Sequence, residues 1–134
     1  MASIIDIEGI GPDYAKKLKG VGVRTTGALL KRGATKQGRK DLAEDTSISE
    51  KLILEWVNHA DLYRIKGVGE EYSDLLEEAG VDTVVELSKR VSANLYAKMV
   101  EVNATKELVR RLPTEAQVND WIKQAKVLPR AVHY

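Results

Sequence analysis

The stretch Ile7-Glu8-Gly9-Ile10-Gly11-Pro12-Asp13-Tyr14 occurs a second time as Ile65-Lys66-Gly67-Val68-Gly69-Glu70-Glu71-Tyr72. The separation is 58 residues (65 − 7), and the same offset pairs Leu18 with Leu76, Gly22 with Gly80, Val23 with Val81, Thr25 with Thr83 and Leu29 with Leu87. An internal repeat fixes an architecture before any single residue is interpreted. The chain has 134 residues, and a domain of that size hides roughly two-thirds of its unfolded surface. Either half alone would be marginal. The expectation is one helical domain over 1–134, built from repeats at about 1–62 and 63–134 that share a core and are related by a pseudo-twofold axis.

Each copy reads apolar-x-Gly-apolar-Gly, then about nine residues with helical spacing, then Gly-Val. Two glycines around one apolar residue make a tight reversal, since glycine accepts positive φ and a close approach to its backbone. Ile10 and Val68 can turn inward and pin that reversal. Pro12 suits the first position of the following helix. Glu70 and Glu71 suit the positive end of its dipole. Tyr14 and Leu18, like Tyr72 and Leu76, are four apart and share a face. Gly22 and Gly80 stand where a left-handed cap ends a helix.

These features resemble the helix-hairpin-helix motif, whose Gly-apolar-Gly amides and following helix N-terminus hold a DNA phosphate without reading sequence. Exposed amides at a helix N-terminus do form an anion site. Lys31-Arg32-Gly33-Ala34-Thr35, Glu50-Lys51-Leu52-Ile53-Leu54-Glu55-Trp56-Val57 and Arg64 to Tyr72 are similar to an uncharacterised bacterial family of tandem helix-hairpin-helix proteins, a domain of unknown function within the helix-hairpin-helix and SAM-like superfamily. That resemblance spans nearly the whole chain and implies the fold more than an activity.

Composition narrows the classes. Basic residues number 21 and acidic residues 20, for a formal net charge of +1, which is not the footprint of a strongly basic nucleic-acid binder. Cysteine is absent, so there is no disulfide framework and no thiolate site. No signal peptide, transit peptide or membrane span is read, and the expected location is the cytoplasm. Leu, Ile and Val recur at three and four, and nothing alternates at period two, so the fold class is all-α.

In chain order, Ala2 to Ile7 predicts one helical turn before the first reversal, whose helix runs to about Lys19. Thr25-Thr26 caps a short helix that Gly33 stops, and Thr35 caps the next, to Leu42 and Ala43. Ser49 caps the clearest helix, with Ile48 and Ile53 as a hydrophobic staple and Leu52, Ile53, Trp56, Val57 and Ala60 on one face. Asp61 is read as the cap of a turn through Leu62 and Tyr63. Thr83 leads the counterpart of the second helix, and Ser92 caps a helix carrying Leu95, Met99 and Val102. Thr114-Glu115-Ala116-Gln117 has capping-box spacing and opens the last helix, which Pro129 ends. Trp56-Val57-x-x-Ala60 matches Trp121-Ile122-x-x-Ala125 at an offset of 65 (121 − 56). The second copy therefore carries a net insertion of seven residues, placed near Asn103-Ala104-Thr105.

The first hairpin, Gly9, Ile10 and Gly11, is the leading functional candidate, with Lys16, Lys17 and Lys19 on its helix and Glu8 and Asp13 opposing. The second, Lys66, Gly67, Val68 and Gly69, is weaker, because Glu70, Glu71, Asp74, Glu77 and Glu78 put five carboxylates beyond it and repel a phosphate. The stretch Lys31 to Lys40 holds five basic residues and no acidic one. Lys31, Arg32, Lys36, Arg39 and Lys40 can track a phosphate backbone or simply face solvent. Trp56 and Trp121 are read as core rather than base-stacking platforms, from their apolar stripe. Tyr14 and Tyr72 are read as core-facing, with the hydroxyl near the hairpin. His59 and His133 lack partners at metal-ligand spacing, and no Ser/His/Asp set or P-loop lysine is found.

The reading is a non-enzymatic, sequence-independent nucleic-acid-binding module, with Gly9, Ile10 and Gly11 offering amides and Lys16, Lys17, Lys31, Arg32, Lys36, Arg39 and Lys40 supplying charge. The alternative is a protein-interaction adaptor whose hairpins are structural. No catalytic residue, metal, cofactor, membrane or small-molecule substrate is expected. The partner is a DNA or RNA backbone, or another protein.

Overall fold

The computed structural model describes residues 3–134. Among them are eight α-helices, one 3-10 turn and no strand beyond a single antiparallel bridge between Ser3 and Thr25. The protein is all-α, as its periodicity predicts. Ala2 lies outside the described residues. Contacts divide the chain into two compact units, Met1–Asp61 with Ala131–Tyr134, and Leu62–Arg130.

The first unit opens with the 3-10 turn Ile4–Asp6, followed by α1 (Pro12–Gly20), α2 (Thr26–Arg32), α3 (Lys36–Thr46) and α4 (Glu50–Leu62). Each start has a local cause. Pro12 occupies the first position of α1. The Thr25 hydroxyl accepts from the Ala28 amide, that of Thr35 from Gly38 and that of Ser49 from Leu52, so each satisfies one orphan donor of its helix. Helix α1 ends in a Schellman cap. Gly22 takes φ +86°, its amide donates to Lys19 O, and Val23 donates to Leu18 O. Leu18 and Val23, which flank that cap, are fully buried. So are Ile4, Leu29, Leu42, Ile53 and Val57.

The second unit holds α5 (Glu70–Glu78), α6 (Val84–Ser88), α7 (Ser92–Lys106) and α8 (Glu115–Val127). Here α8 packs on α6 and α7, and α5 on α7. The cap of α5 repeats that of α1: Gly80 takes φ +94°, its amide donates to Glu77 O, and Val81 donates to Leu76 O. Thr83 caps α6 through the Glu86 amide, as Thr25 caps α2. Thr114 and Gln117 form the reciprocal box that their spacing predicts. Leu75, Leu76, Val81, Leu87, Leu95 and Met99 are fully buried in one apolar cluster with Trp121.

Four local expectations are corrected. Asp61 and Leu62 belong to α4 rather than to a separate turn, and both are buried. Ser92 is the first helical residue of α7, and Val91 is its cap. Helix α3 continues past Ala43 to Thr46, where the Thr46 hydroxyl donates to Leu42 O and accepts from the Ile48 amide. Asn103, Ala104 and Thr105 lie inside α7, so they are not an inserted loop. The longer spacing of the second unit comes mainly from two other places. Helix α7 has 15 residues where α3 has 11, and the connection after it spans 107–114 where its counterpart spans 47–49. Asn103 holds that connection by accepting from the Val109 amide at 3.0 Å and donating to Val109 O at 3.3 Å.

Candidate functional site: the glycine turns

In each unit a glycine turn leads into a nine-residue helix, α1 or α5. The Ile10 amide donates to Ile7 O, and the Val68 amide to Ile65 O, both at 3.1 Å. Ile10 and Val68 bury their side chains and pin the turns inward. Gly9 takes φ +92° and Gly67 φ +98°, a conformation that a Cβ strains. Space is tight as well. A Cβ on Gly9 would stand 3.3 Å from Trp56 Nε1, and one on Gly67 3.0 Å from Trp121 Nε1. Tyr14 packs on Trp56 with ring centroids 5.1 Å apart, and Tyr72 on Trp121 at 5.2 Å. Each turn thus rests on a tryptophan clasped from its flank by a tyrosine. Both tryptophans are buried core, as their stripe predicts.

The turn amides are not equivalent. The Ile10 amide is spent inside the turn and is unavailable to a phosphate, which corrects its expected role; the same holds for Val68. Gly11, the N-cap of α1, has φ −83° and ψ −177°. Its carbonyl accepts from Ala15, and its amide, like that of Gly9, has no acceptor among the described residues. A shallow depression lined by Gly9, Gly11, Pro12, Asp13, Tyr14 and Lys17 opens in front of them. Lys16 and Lys17 are exposed, and so are Glu8 and Asp13.

The basic stretch does not act as one patch. Lys31, Arg32, Lys36 and Lys40 are exposed. Arg32 donates to Val21 O at 3.1 Å and lies 3.8 Å from Asp45. That places it at the far end of α1 from Gly9 and Gly11, roughly 13 Å away at 1.5 Å per residue. Arg39 is a correction: it is 5% exposed, and its guanidinium donates to Gly33 O at 2.8 Å and His133 O at 3.0 Å. Those bonds spend it on the fold, because a buried charge needs its donors satisfied.

In the second unit, Gly67 and Gly69 are exposed, with Glu70 and Glu71 in the first turn of α5. The main chain of Lys66 is held by Gln124, whose Oε1 accepts from the Lys66 amide at 2.8 Å and whose Nε2 donates to Lys66 O at 3.1 Å. Nothing in the sequence pattern marks that clamp, since its partners lie 58 residues apart. The Tyr72 hydroxyl goes to Arg111 O at 3.0 Å rather than to the turn.

No helix among the described residues is long and apolar enough to cross a membrane. Residues 8–128 match the family described as "Domain of unknown function (DUF4332)", and the chain belongs to that family. No curated protein and no solved structure matches the chain.

Proposed function

We propose that the chain is a non-enzymatic helix-hairpin-helix module whose first glycine turn holds a phosphate of a nucleic-acid backbone, independently of base sequence. The observation that carries this reading is the second glycine of the turn. Packing and φ both demand glycine at position 9. Neither demands it at position 11, where φ is −83° and a Cβ would meet nothing within 4 Å. Ser, Asp or Asn at that N-cap would stabilise the helix more. A bare backbone there leaves the amide open to a group arriving from outside.

The site's charge agrees with an anion. Gly9, Gly11 and Lys17 line one depression at the positive end of α1, together with Asp13. Lys16, Lys31, Arg32, Lys36 and Lys40 extend the same unit's positive surface. The roughly 13 Å between Gly11 and Arg32 is the axial rise over which a duplex carries about eight phosphates, at 1.7 Å each.

The test is fluorescence anisotropy of labelled duplex DNA, single-stranded DNA and RNA at two salt concentrations. Binding that weakens with salt is expected, and Lys16→Gln with Lys17→Gln should lower the log–log slope by up to about 1.8 on duplex, at about 0.9 per phosphate. Gly11→Leu should lose affinity while its helix signal is retained. Equal affinity of Gly11→Leu and the parent sinks the turn's role, and no binding at low salt sinks the nucleic-acid reading.

The second turn favours a second reading, that of a protein-interaction adaptor. Its free glycine edge is followed by exposed Glu70 and Glu71, which suit a cationic protein surface and oppose a phosphate. Co-purification with a protein but not with nucleic acid would select it.

A further inference from the structure

The four residues 131–134 belong to the first unit, although 62–130, which precede them, form the second. They are held as a ligand is held. The His133 amide donates to Ala34 O at 2.7 Å, and the His133 carbonyl accepts from the Arg39 guanidinium at 3.0 Å. The same guanidinium donates to Gly33 O at 2.8 Å and lies 6.0 Å from the centre of the Tyr134 ring. Val132 is 3% exposed, and the Tyr134 hydroxyl meets Asn58 Oδ1 at 3.3 Å. Two main-chain bonds, one buried aliphatic and one aromatic on a guanidinium make a recognition pattern of backbone plus alternate side chains.

The receiving surface is built without the segment. Thr35 caps α3, and Gly33 and Gly38 pack so closely that a Cβ on either would stand 2.3 Å from Val57 Cγ2 or 2.2 Å from Arg32 O. The corner that presents the Ala34 carbonyl is therefore fixed by its own packing. Beside Tyr134 a further cavity of about 360 Å³, lined by Lys36, Arg39, Glu50, Lys51 and Leu54, leaves room that the segment does not fill.

We infer that this corner of the first unit is a docking groove for a short partner segment with an aliphatic residue, any residue, then an aromatic, and that residues 132–134 occupy it in cis. The partner binds by displacing them. Lys36 and Lys51 line the cavity beside the aromatic and outnumber Glu50 there, which favours an acidic residue beyond it. This inference is independent of nucleic-acid binding.

A tethered segment competes at an effective concentration on the order of 1 mM. The probe is a synthetic peptide of residues 128–134, titrated into the isotope-labelled full chain and followed by the NMR amide signals of His133 and Tyr134. Half-displacement near 1 mM is expected, with a peptide carrying Asp in place of the valine at least tenfold weaker. Val132→Asp in the full chain should empty the groove and tighten peptide binding severalfold. If that variant loses helix content, the displacement titration on the unaltered chain decides alone. His133 and Tyr134 signals unmoved at roughly ten times the tethered concentration overturn the inference. Sedimentation showing a dimer over the same range, without peptide, also overturns it, since the occupant is then a second copy's segment rather than a partner's.

Discussion

Gly67→Ala measures how much of the second turn is set by Trp121. The new Cβ meets two costs. At φ +98° a non-glycine residue is strained by roughly 1–3 kcal/mol. The Cβ also stands 3.0 Å from Nε1 of the buried Trp121 ring, so overpacking adds about 1 kcal/mol. Against these, alanine restricts the unfolded chain by about 0.4–1 kcal/mol. The net loss is about 2 kcal/mol. With a urea slope near 1.5 kcal/mol/M, the midpoint falls by about 1.3 M. Gly69→Ala is the control. Its φ is −111° and a Cβ there meets nothing within 4 Å. The poorer N-cap and the stiffer unfolded chain cancel to within about 0.5 kcal/mol. Urea titrations followed by circular dichroism, at unchanged slope, compare the pair. Equal midpoints for the two variants would refute the claim that position 67 is glycine because of packing.

Other substitutions probe separate joints. Arg39→Gln should cost about 1–3 kcal/mol, because Gly33 O and His133 O lose a charged donor, yet leave the salt slope of any DNA binding unchanged; a slope lowered by about 0.9 would return Arg39 to the phosphate surface. Thr83→Ala should cost about 1 kcal/mol through the lost cap on α6, read as a shift in urea midpoint. Gln124→Ala leaves the Lys66 amide and carbonyl unclamped and should destabilise by about 1 kcal/mol, with faster hydrogen exchange at Lys66 as its local signature.

The repeat made much of the backbone legible. Gly22 and Gly80, Thr25 and Thr83, and Trp56 and Trp121 hold matching roles because each follows from a local rule of capping or periodicity. Charge was less legible. Lys31 to Lys40 reads as one basic run, yet Arg39 folds inward because α3 puts it on the face that carries Leu42. Its acceptor at His133 is 94 residues away, and no local pattern reaches that far. The end of α4 was hidden too, since the helix continues through Asp61 to Leu62. Main-chain use was also hidden. The sequence shows two glycines around Ile10, and only the fold shows that the middle amide is consumed by Ile7 O.

The two turns share a backbone and differ in what can approach it. In each, the first glycine is required by a tryptophan and the second is left bare. A helix N-terminus contributes about half a positive charge. In front of α5, Glu70 and Glu71 outweigh that, and a phosphate about 4 Å from either carboxylate is opposed by about 4 kcal/mol at an effective dielectric of 20. In front of α1, the proline at position 12 removes one of those carboxylates, and Lys17 and Asp13 both line the depression. The same main-chain donors thus favour an anion in the first unit and disfavour one in the second. The glycine seated on a tryptophan is common to both turns, while the first turn of α1 carries one carboxylate, Asp13, and that of α5 carries two, Glu70 and Glu71. The proposal therefore gives the two turns different chemistry: a phosphate at the first, and a cationic surface at the second.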